Sequence, residues 1–263
     1  MKNRKEQGKI KLLNSFRRGR KALIVYLCAG DPSLEATFEA VCALTRAGAD
    51  IVELGVPFSD PLADGPVIQA ASQRALDQGT TLGQVLKLTH DLRKILDIPL
   101  VLMSYYNPLL RYGLASFVRE LAEAGGDGVI VPDLPHEEAG PLRDHLDERG
   151  LALVPLVAPT TPVGRLQEIA RQASGFIYCV SLTGVTGPRD ELPPDLAGYL
   201  SRVRRVTSLP LAIGFGISTP EQARRIASLA DGIIVGSAVV ETLAEQGIDK
   251  AVNLVQALRK ALE

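Results

Sequence analysis

The chain has 263 residues, 46% of them hydrophobic and 22% charged, enough apolar material for a large buried core in one α/β domain or two small ones. Lys plus Arg number 29 against 30 Asp plus Glu, so the formal charge of −1 gives no electrostatic footprint for nucleic acid or anionic lipid and leaves a small polar ligand as the default. Three cysteines, Cys28, Cys42 and Cys179, lie far apart in apolar stretches, which disfavours a disulfide framework or a zinc site and predicts a reducing, cytoplasmic setting.

The opening stretch Met1 to Lys21 is dotted with Lys and Arg and has no long apolar run, so neither a signal peptide nor a membrane anchor is expected there. Within it, Leu12, Leu13 and Phe16 fall on one face of a short helix over Ile10 to Arg20 that would close the bottom of whatever follows. Short apolar runs bounded by turn residues then predict eight strands: Ala22–Cys28, Asp50–Leu54, Leu100–Met103, Gly128–Val131, Leu151–Val157, Phe176–Ser181, Leu211–Gly214 and Gly232–Val235. Helical spacing fills the intervals over Leu34–Ala47, Leu82–Leu96, Leu114–Ala124, Glu137–Arg149, Val163–Gln172, Leu196–Val206 and Pro220–Leu229, with a last helix over Lys250–Leu262. Continuous apolar strands are buried on both faces, as in a parallel sheet covered by helices. Strict β–α alternation in eight units of roughly 33 residues predicts a single (β/α)₈ (TIM) barrel domain over 1–263. An open doubly wound sheet fits less well, since no G-x-G-x-x-G follows the first strand.

Chemistry in such a barrel belongs at the C-terminal ends of its strands. The connection Glu53 to Pro66 after strand two is longer than an ordinary βα loop. Strand alternation places Ile51 and Glu53 on one face, so Glu53 is expected inside the barrel mouth, where desolvation would raise its pKa and suit it to proton transfer. A salt-bridged structural glutamate is the competing reading. A second long loop follows strand six, Ser181-Leu182-Thr183-Gly184-Val185-Thr186-Gly187-Pro188-Arg189, whose glycines and polar tip read as a mobile cover. The third feature is paired, Gly214-Phe215-Gly216-Ile217-Ser218 after strand seven and Gly236-Ser237 after strand eight, with Ala238 to Leu243 as a short extra helix. Backbone N–H groups at such ends, and the dipole of that helix, form a phosphate site. His90, His136 and His145 read as surface or capping residues, and no spacing of His, Cys and Asp points to a metal.

With these segments placed, the chain resembles the tryptophan synthase alpha subunit family from about Lys21 to Leu262. The most specific block is Glu53-Leu54-Gly55-Val56-Pro57-Phe58-Ser59-Asp60-Pro61-Leu62-Ala63-Asp64-Gly65-Pro66. It is supported by Ala29-Gly30-Asp31-Pro32, Val131-Pro132-Asp133-Leu134-Pro135 and the loops after strands six and seven. The resemblance implies a lyase that splits indole-3-glycerol phosphate into indole and glyceraldehyde 3-phosphate, for tryptophan biosynthesis. It further implies that Glu53 moves a proton between the C3′ hydroxyl and indole C3, that Asp64 accepts a hydrogen bond from the indole N–H, and that Tyr178 lies beside the reacting carbons. Tyr26 and Leu102 would line the indole pocket, Thr186 would reach Asp64 on loop closure, and Gly187, Gly216, Gly236 and Ser237 would hold the phosphate. Pro57, Phe58, Asp60, Asn107 and Pro108 would touch a beta subunit in an α₂β₂ heterotetramer. That partner would carry the pyridoxal phosphate, with no cofactor expected in this subunit. The chain departs from the family's common Pro and Thr at Val25 and Cys28, beside the indole wall. An aldose–ketose isomerase on a phosphate-binding barrel would share the last two loops without needing the Glu53 to Asp64 block. A catalytically silent regulatory barrel is disfavoured by the intact Glu53, Asp64 and Tyr178.

Overall fold

A computed structural model of the chain describes residues 7–16, 19–180, 195–214 and 216–263. Among the described residues nine strands form one all-parallel sheet: β1 (Ala22–Cys28), β2 (Ile51–Gly55), β3 (Leu100–Met103), β4 (Gly128–Ile130), β5 (Ala152–Leu153), β6 (Leu156–Val157), β7 (Ile177–Val180), β8 (Leu211–Gly214) and β9 (Gly232–Val235). Their order is β5-β4-β3-β2-β1-β9-β8-β7-β6. The two ends of that order, β5 and β6, are separated in the chain only by Val154 and Pro155, so the sheet closes on itself as a (β/α)₈ barrel whose fifth strand is in two pieces. The single strand expected over Leu151–Val157 is corrected accordingly. Its first half pairs with β4 and its second with β7, where the Tyr178 N–H donates to the Pro155 carbonyl at 3.0 Å.

Alternation along the strands sorts side chains between two cores. Ile24, Ile51, Val101, Ile130, Ala152, Phe176, Ala212 and Ile234 point inward and fill the barrel, while the intervening Leu23, Val25, Val52, Leu54, Leu100 and Leu102 pack outward beneath the helices. The first helix, α1 (Gln7–Ser15), begins three residues before the expected start, and its fully buried Leu12 joins the inner cluster, with Phe16 tilted against Phe176 at 5.4 Å between ring centroids. The bottom is thereby plugged.

The outer layer contains α2 (Leu34–Arg46), α3 (Pro66–Asp77), α4 (Leu82–Arg93), α5 (Tyr106–Tyr112), α6 (Leu114–Glu123), α7 (Gly140–Arg149), α8 (Val163–Gln172), α9 (Leu196–Arg204), α10 (Pro220–Ala227), α11 (Ser237–Gln246) and α12 (Ile248–Ala261). Ser33, Thr81 and Thr219 cap α2, α4 and α10 through their hydroxyls, the last two in reciprocal capping boxes with Gln84 and Gln222. Two helices had no counterpart in the sequence reading, α3 and α5. The helix expected from Glu137 is split into a 3-10 turn (His136–Glu138) and α7, because Pro141 in the first turn of α7 favours a fresh helix start. No helix among the described residues is long and apolar enough to cross a membrane.

Candidate active site

Glu53 lies on the inward face of β2, two residues above Ile51, with Tyr26 of β1 and Val101 of β3 as its register partners. It is fully buried, and neither carboxylate oxygen has a hydrogen-bond partner among the described residues. Burial alone pushes its pKa from 4.5 up to about 8, so near neutrality the group holds its proton. The salt-bridge reading of this residue fails, since no cation approaches it among the described residues. A buried, unsatisfied carboxyl costs stability, and such groups mark sites where the structure is shaped for chemistry.

Asp64 reaches the same space from the loop between β2 and α3. It is 8% exposed, and its pKa rises from 3.8 to about 6 through desolvation, opposed by a hydrogen bond from the Tyr105 hydroxyl at 2.9 Å. Tyr105 sits just beyond β3 and also accepts the Ala63 N–H at 2.9 Å, so one phenol fixes both the carboxylate and its backbone. The loop is tied down further where Ser72 of α3 accepts the Phe58 N–H at 2.8 Å and donates to the Phe58 carbonyl at 3.1 Å. Phe58 leans on Tyr105 with centroids 5.3 Å apart. Asp31, after β1, holds Arg74 of α3 through two hydrogen bonds of 2.7 Å, bracing the helix that carries Ser72.

Tyr26 and Tyr178 flank Glu53 from β1 and β7. Desolvation raises both phenol pKa values well above the usual range, and the nearby charges of Glu53 and Asp64 add to it in each case. Two glycines make room for these rings. A Cβ on Gly55 would sit 2.1 Å from the Tyr26 hydroxyl, and one on Gly214 would sit 2.5 Å from that of Tyr178, both far inside contact distance. Gly at these strand ends thus serves close approach of a neighbouring side chain.

A cavity of about 630 Å³ opens over this group, lined by Tyr26, Asp64, Met103, Tyr178 and Ile234 and, on its far side, by Gly214, Gly216, Gly236 and Ser237. Helix α11 starts at Ser237 without any side chain capping its N-terminus, longer than the short helix expected over Ala238 to Leu243. A partly enclosed helix start with Gly before it suits an anion, by dipole and by its unpaired N–H groups. Gly216 has a φ of 64°, a conformation that only glycine adopts readily. Thr186, Gly187 and Phe215 fall outside the described residues.

One expectation is corrected. Leu102 faces the helices and belongs to the outer core, and the cavity wall on β3 is Met103, one residue on. The parity of the strand carries the signal, since Val101 is inward and Met103 must be also. Of the two departures, Val25 is outward and Cys28 is inward beside Tyr26 and Ile68, its thiol pushed up to about 12 by burial. Pro57 is buried, Phe58 half-buried, Asp60 and Asn107 exposed, and Pro108 half-buried at the start of α5, all at this end of the barrel. Among the described residues no group of three or more His, Cys, Asp or Glu is placed to hold a metal ion.

Comparison with known proteins adds the last observation. The family model of the tryptophan synthase alpha chain matches residues 12–263. Curated relatives include the tryptophan synthase alpha chains of Synechococcus elongatus, 51% identical over 93% of this chain and 92% of the relative, and Carboxydothermus hydrogenoformans, 54% identical over 86% and 85%. Among solved structures, Mycobacterium tuberculosis tryptophan synthase superposes with a TM-score of 0.91 at 37% identity, covering 98% of both chains. A tryptophan synthase alpha chain from Legionella pneumophila superposes at 0.89 and 36%, covering 97% of both.

Proposed function

The chain belongs to the tryptophan synthase alpha chain family, and from that premise we propose that Glu53 and Asp64 are the two carboxylates that cleave indole-3-glycerol phosphate. The activity class is that of the family, a carbon–carbon lyase carrying out the alpha reaction of tryptophan biosynthesis. The reading treats 1–263 as one catalytic barrel.

The observation that carries it is the contrast between two carboxyls beside one cavity, Asp64 in its lining and Glu53 fully buried next to the lining residues Tyr26 and Tyr178. Glu53, held neutral, gives its proton to indole C3, which places positive charge on the indole ring. The carboxylate so formed takes the proton of the C3′ hydroxyl. The C3–C3′ bond then breaks, its electron pair restores the aromatic ring, and the hydroxyl carbon leaves as the aldehyde of glyceraldehyde 3-phosphate. Glu53 ends as it began, protonated. Asp64, ionised near neutrality, accepts the indole N–H and offsets the positive charge that develops on that nitrogen, an interaction that strengthens in the transition state. Tyr178 and Met103 bound the reacting end, Tyr26 stands over the ring, and Gly216, Gly236 and Ser237 take the phosphate. An isomerase reading leaves the unsatisfied Glu53 and the Tyr105–Asp64 pair without a task.

Membership in this family implies a beta-subunit partner. The α₂β₂ arrangement, the partner's pyridoxal phosphate and contact through Pro57, Phe58, Asp60, Asn107 and Pro108 form part of the proposal, as does a cytoplasmic location. Support comes from the exposed Leu62, 86% accessible on the loop after β2, and from Leu110, 50% accessible on α5 after the adjacent strand β3, which give this end of the barrel an apolar outer rim. The test is direct. The isolated chain, given indole-3-glycerol phosphate, releases glyceraldehyde 3-phosphate and indole, and faster with a beta subunit present. Absence of both products under both conditions would reject the reading.

A further inference from the structure

The barrel wall has an opening that the reaction does not use. Parallel pairing between β4 and β5 stops after Val129 and Leu153, and the last hydrogen bond across that seam runs from the Val154 N–H to the Val129 carbonyl at 2.9 Å. Beyond it no backbone hydrogen bond joins residues 131–135 to residues 155–158 among the described residues. Two prolines, Pro132 and Pro155, remove donors where the seam splays. The cavity accordingly does not end at the inward residues Tyr26 and Ile234 but continues sideways through the seam, to Ala139 just before α7, to Arg143 within it, and to Ile169 and Gln172 of α8.

The outer end of this passage has a distinct chemistry. Leu134, Pro135, Ala139, Ile169 and Ala173 give it apolar walls. Arg143, half-buried, forms no ion pair or side-chain hydrogen bond among the described residues. The neighbouring Arg165 is already paired with Glu137 at 2.8 Å. His136 is held below its ordinary pKa by burial first and by Arg143 second, so it adds no second positive charge near neutrality. One guanidinium is therefore left without a direct ion pair among the described residues beside an apolar slot, while Glu137, Asp144, Asp147 and Glu168 on the adjoining rim disfavour a dianion.

We propose that the slot between α7 and α8 is a second ligand site, for a flat apolar molecule carrying a single carboxylate, with Arg143 as its anchor. The guanidinium fork matches a carboxylate in two-point geometry, and apolar walls with one convergent charged group are the usual make-up of a small-molecule pocket. Phosphate-bearing ligands belong to the other end of the cavity, where the α11 N-terminus supplies backbone donors in place of a lone arginine.

The chain contains no tryptophan, so an aromatic fluorescent acid can be followed above the tyrosine background. Naphthalene-2-carboxylate titrated against the full chain binds saturably, and its neutral analogue 2-naphthalenemethanol binds about tenfold more weakly, the scale of one charge-assisted contact. Arg143→Glu weakens the acid by at least about tenfold and Arg143→Gln by less, with unaltered melting and unaltered cleavage of indole-3-glycerol phosphate. Ala139→Phe, which fills the slot with an apolar side chain, abolishes binding. Saturating indole with glycerol 3-phosphate does not displace the acid. The proposal is overturned by the absence of saturable binding at millimolar acid, by equal affinity in Arg143→Glu, or by displacement with indole, which would place the acid in the reaction site. Loss of cleavage in the unmodified chain would instead strike the functional reading and leave this one standing.

Discussion

At the scale of single residues, the account rests on protonation states set by burial. Glu53 is raised to about 8 and Asp64 to about 6, so the form with Glu53 protonated and Asp64 ionised dominates between those values. Activity against pH is expected to be bell-shaped, with limbs near them. Tyr105→Phe removes the hydrogen bond that favours ionised Asp64, so the acid limb should move upward and the activity at pH 7 fall, with the alkaline limb unmoved. An unshifted acid limb would remove Tyr105 from its positioning role. Glu53 also leaves a mark on stability. Its native pKa lies above its unfolded one, so the native state holds the proton after the unfolded chain has lost it, and stability falls as pH rises from about 4.5 through about 8. Glu53→Gln cannot ionise and should flatten that decline. Denaturant melts at pH 5 and pH 8 measure it, and equal pH dependence in both proteins would show that Glu53 is not buried neutral. The inward position of Glu53 was legible from strand parity alone. Tyr105 was not, because its contact with Asp64 spans 41 positions and exists only once β2 and β3 lie side by side.

At the scale of elements, the eight-unit alternation was legible because each strand is a continuous apolar run between turn residues. What escaped has physical causes. Helix α3 opens with Pro66 directly after the Asp64-Gly65 turn and buries only Ile68, Ala71, Ser72 and Ala75, three of them small, so its face has little contrast. Helix α5 has seven residues and follows Tyr105 without a capping side chain, so it carries no start signal. The break at Val154-Pro155 was hidden inside an apolar run, although Pro155 marks it in retrospect. Helix α11 was expected as a short anion-binding element, and its uncapped start at Ser237 carries a prediction. Ser237→Asp puts a carboxylate where the phosphate is proposed to sit, in a partly enclosed site where like charges repel strongly. Calorimetry should show glycerol 3-phosphate affinity falling by about a hundredfold, on the order of 3 kcal/mol. Unchanged affinity would place the phosphate elsewhere.

At the scale of the whole molecule, the two ends of the barrel divide the work. The bottom is held by a repeated device that sequence reading missed, an aspartate just before each of β2, β4 and β9. Asp50 accepts the Leu23 N–H at 2.9 Å, Asp127 the Leu100 N–H at 2.9 Å and Asp231 the Leu211 N–H at 2.8 Å. Each also meets an arginine, Asp50 both Arg20 and Arg259, Asp127 Arg93, and Asp231 Arg204. Each aspartate thus stitches the start of one strand to the next while satisfying a cation. Asp127→Ala would strand the partly buried Arg93 and a buried backbone N–H, so a loss of about 3 kcal/mol is expected, with cleavage by the folded fraction unchanged. Thermal unfolding checks the first and kcat under folded conditions the second. The top end, by contrast, holds the Glu53 carboxyl without a hydrogen-bond partner among the described residues, where the proposed chemistry would use it. Steady-state cleavage of indole-3-glycerol phosphate by Glu53→Gln, beside the unmodified chain and with glycerol 3-phosphate affinity measured on both, tests that claim most directly. The account predicts equal ligand affinity and a fall in kcat of about 10²–10⁴-fold, the range for a lost general acid–base group, whereas a fall below about tenfold with affinity intact would contradict it.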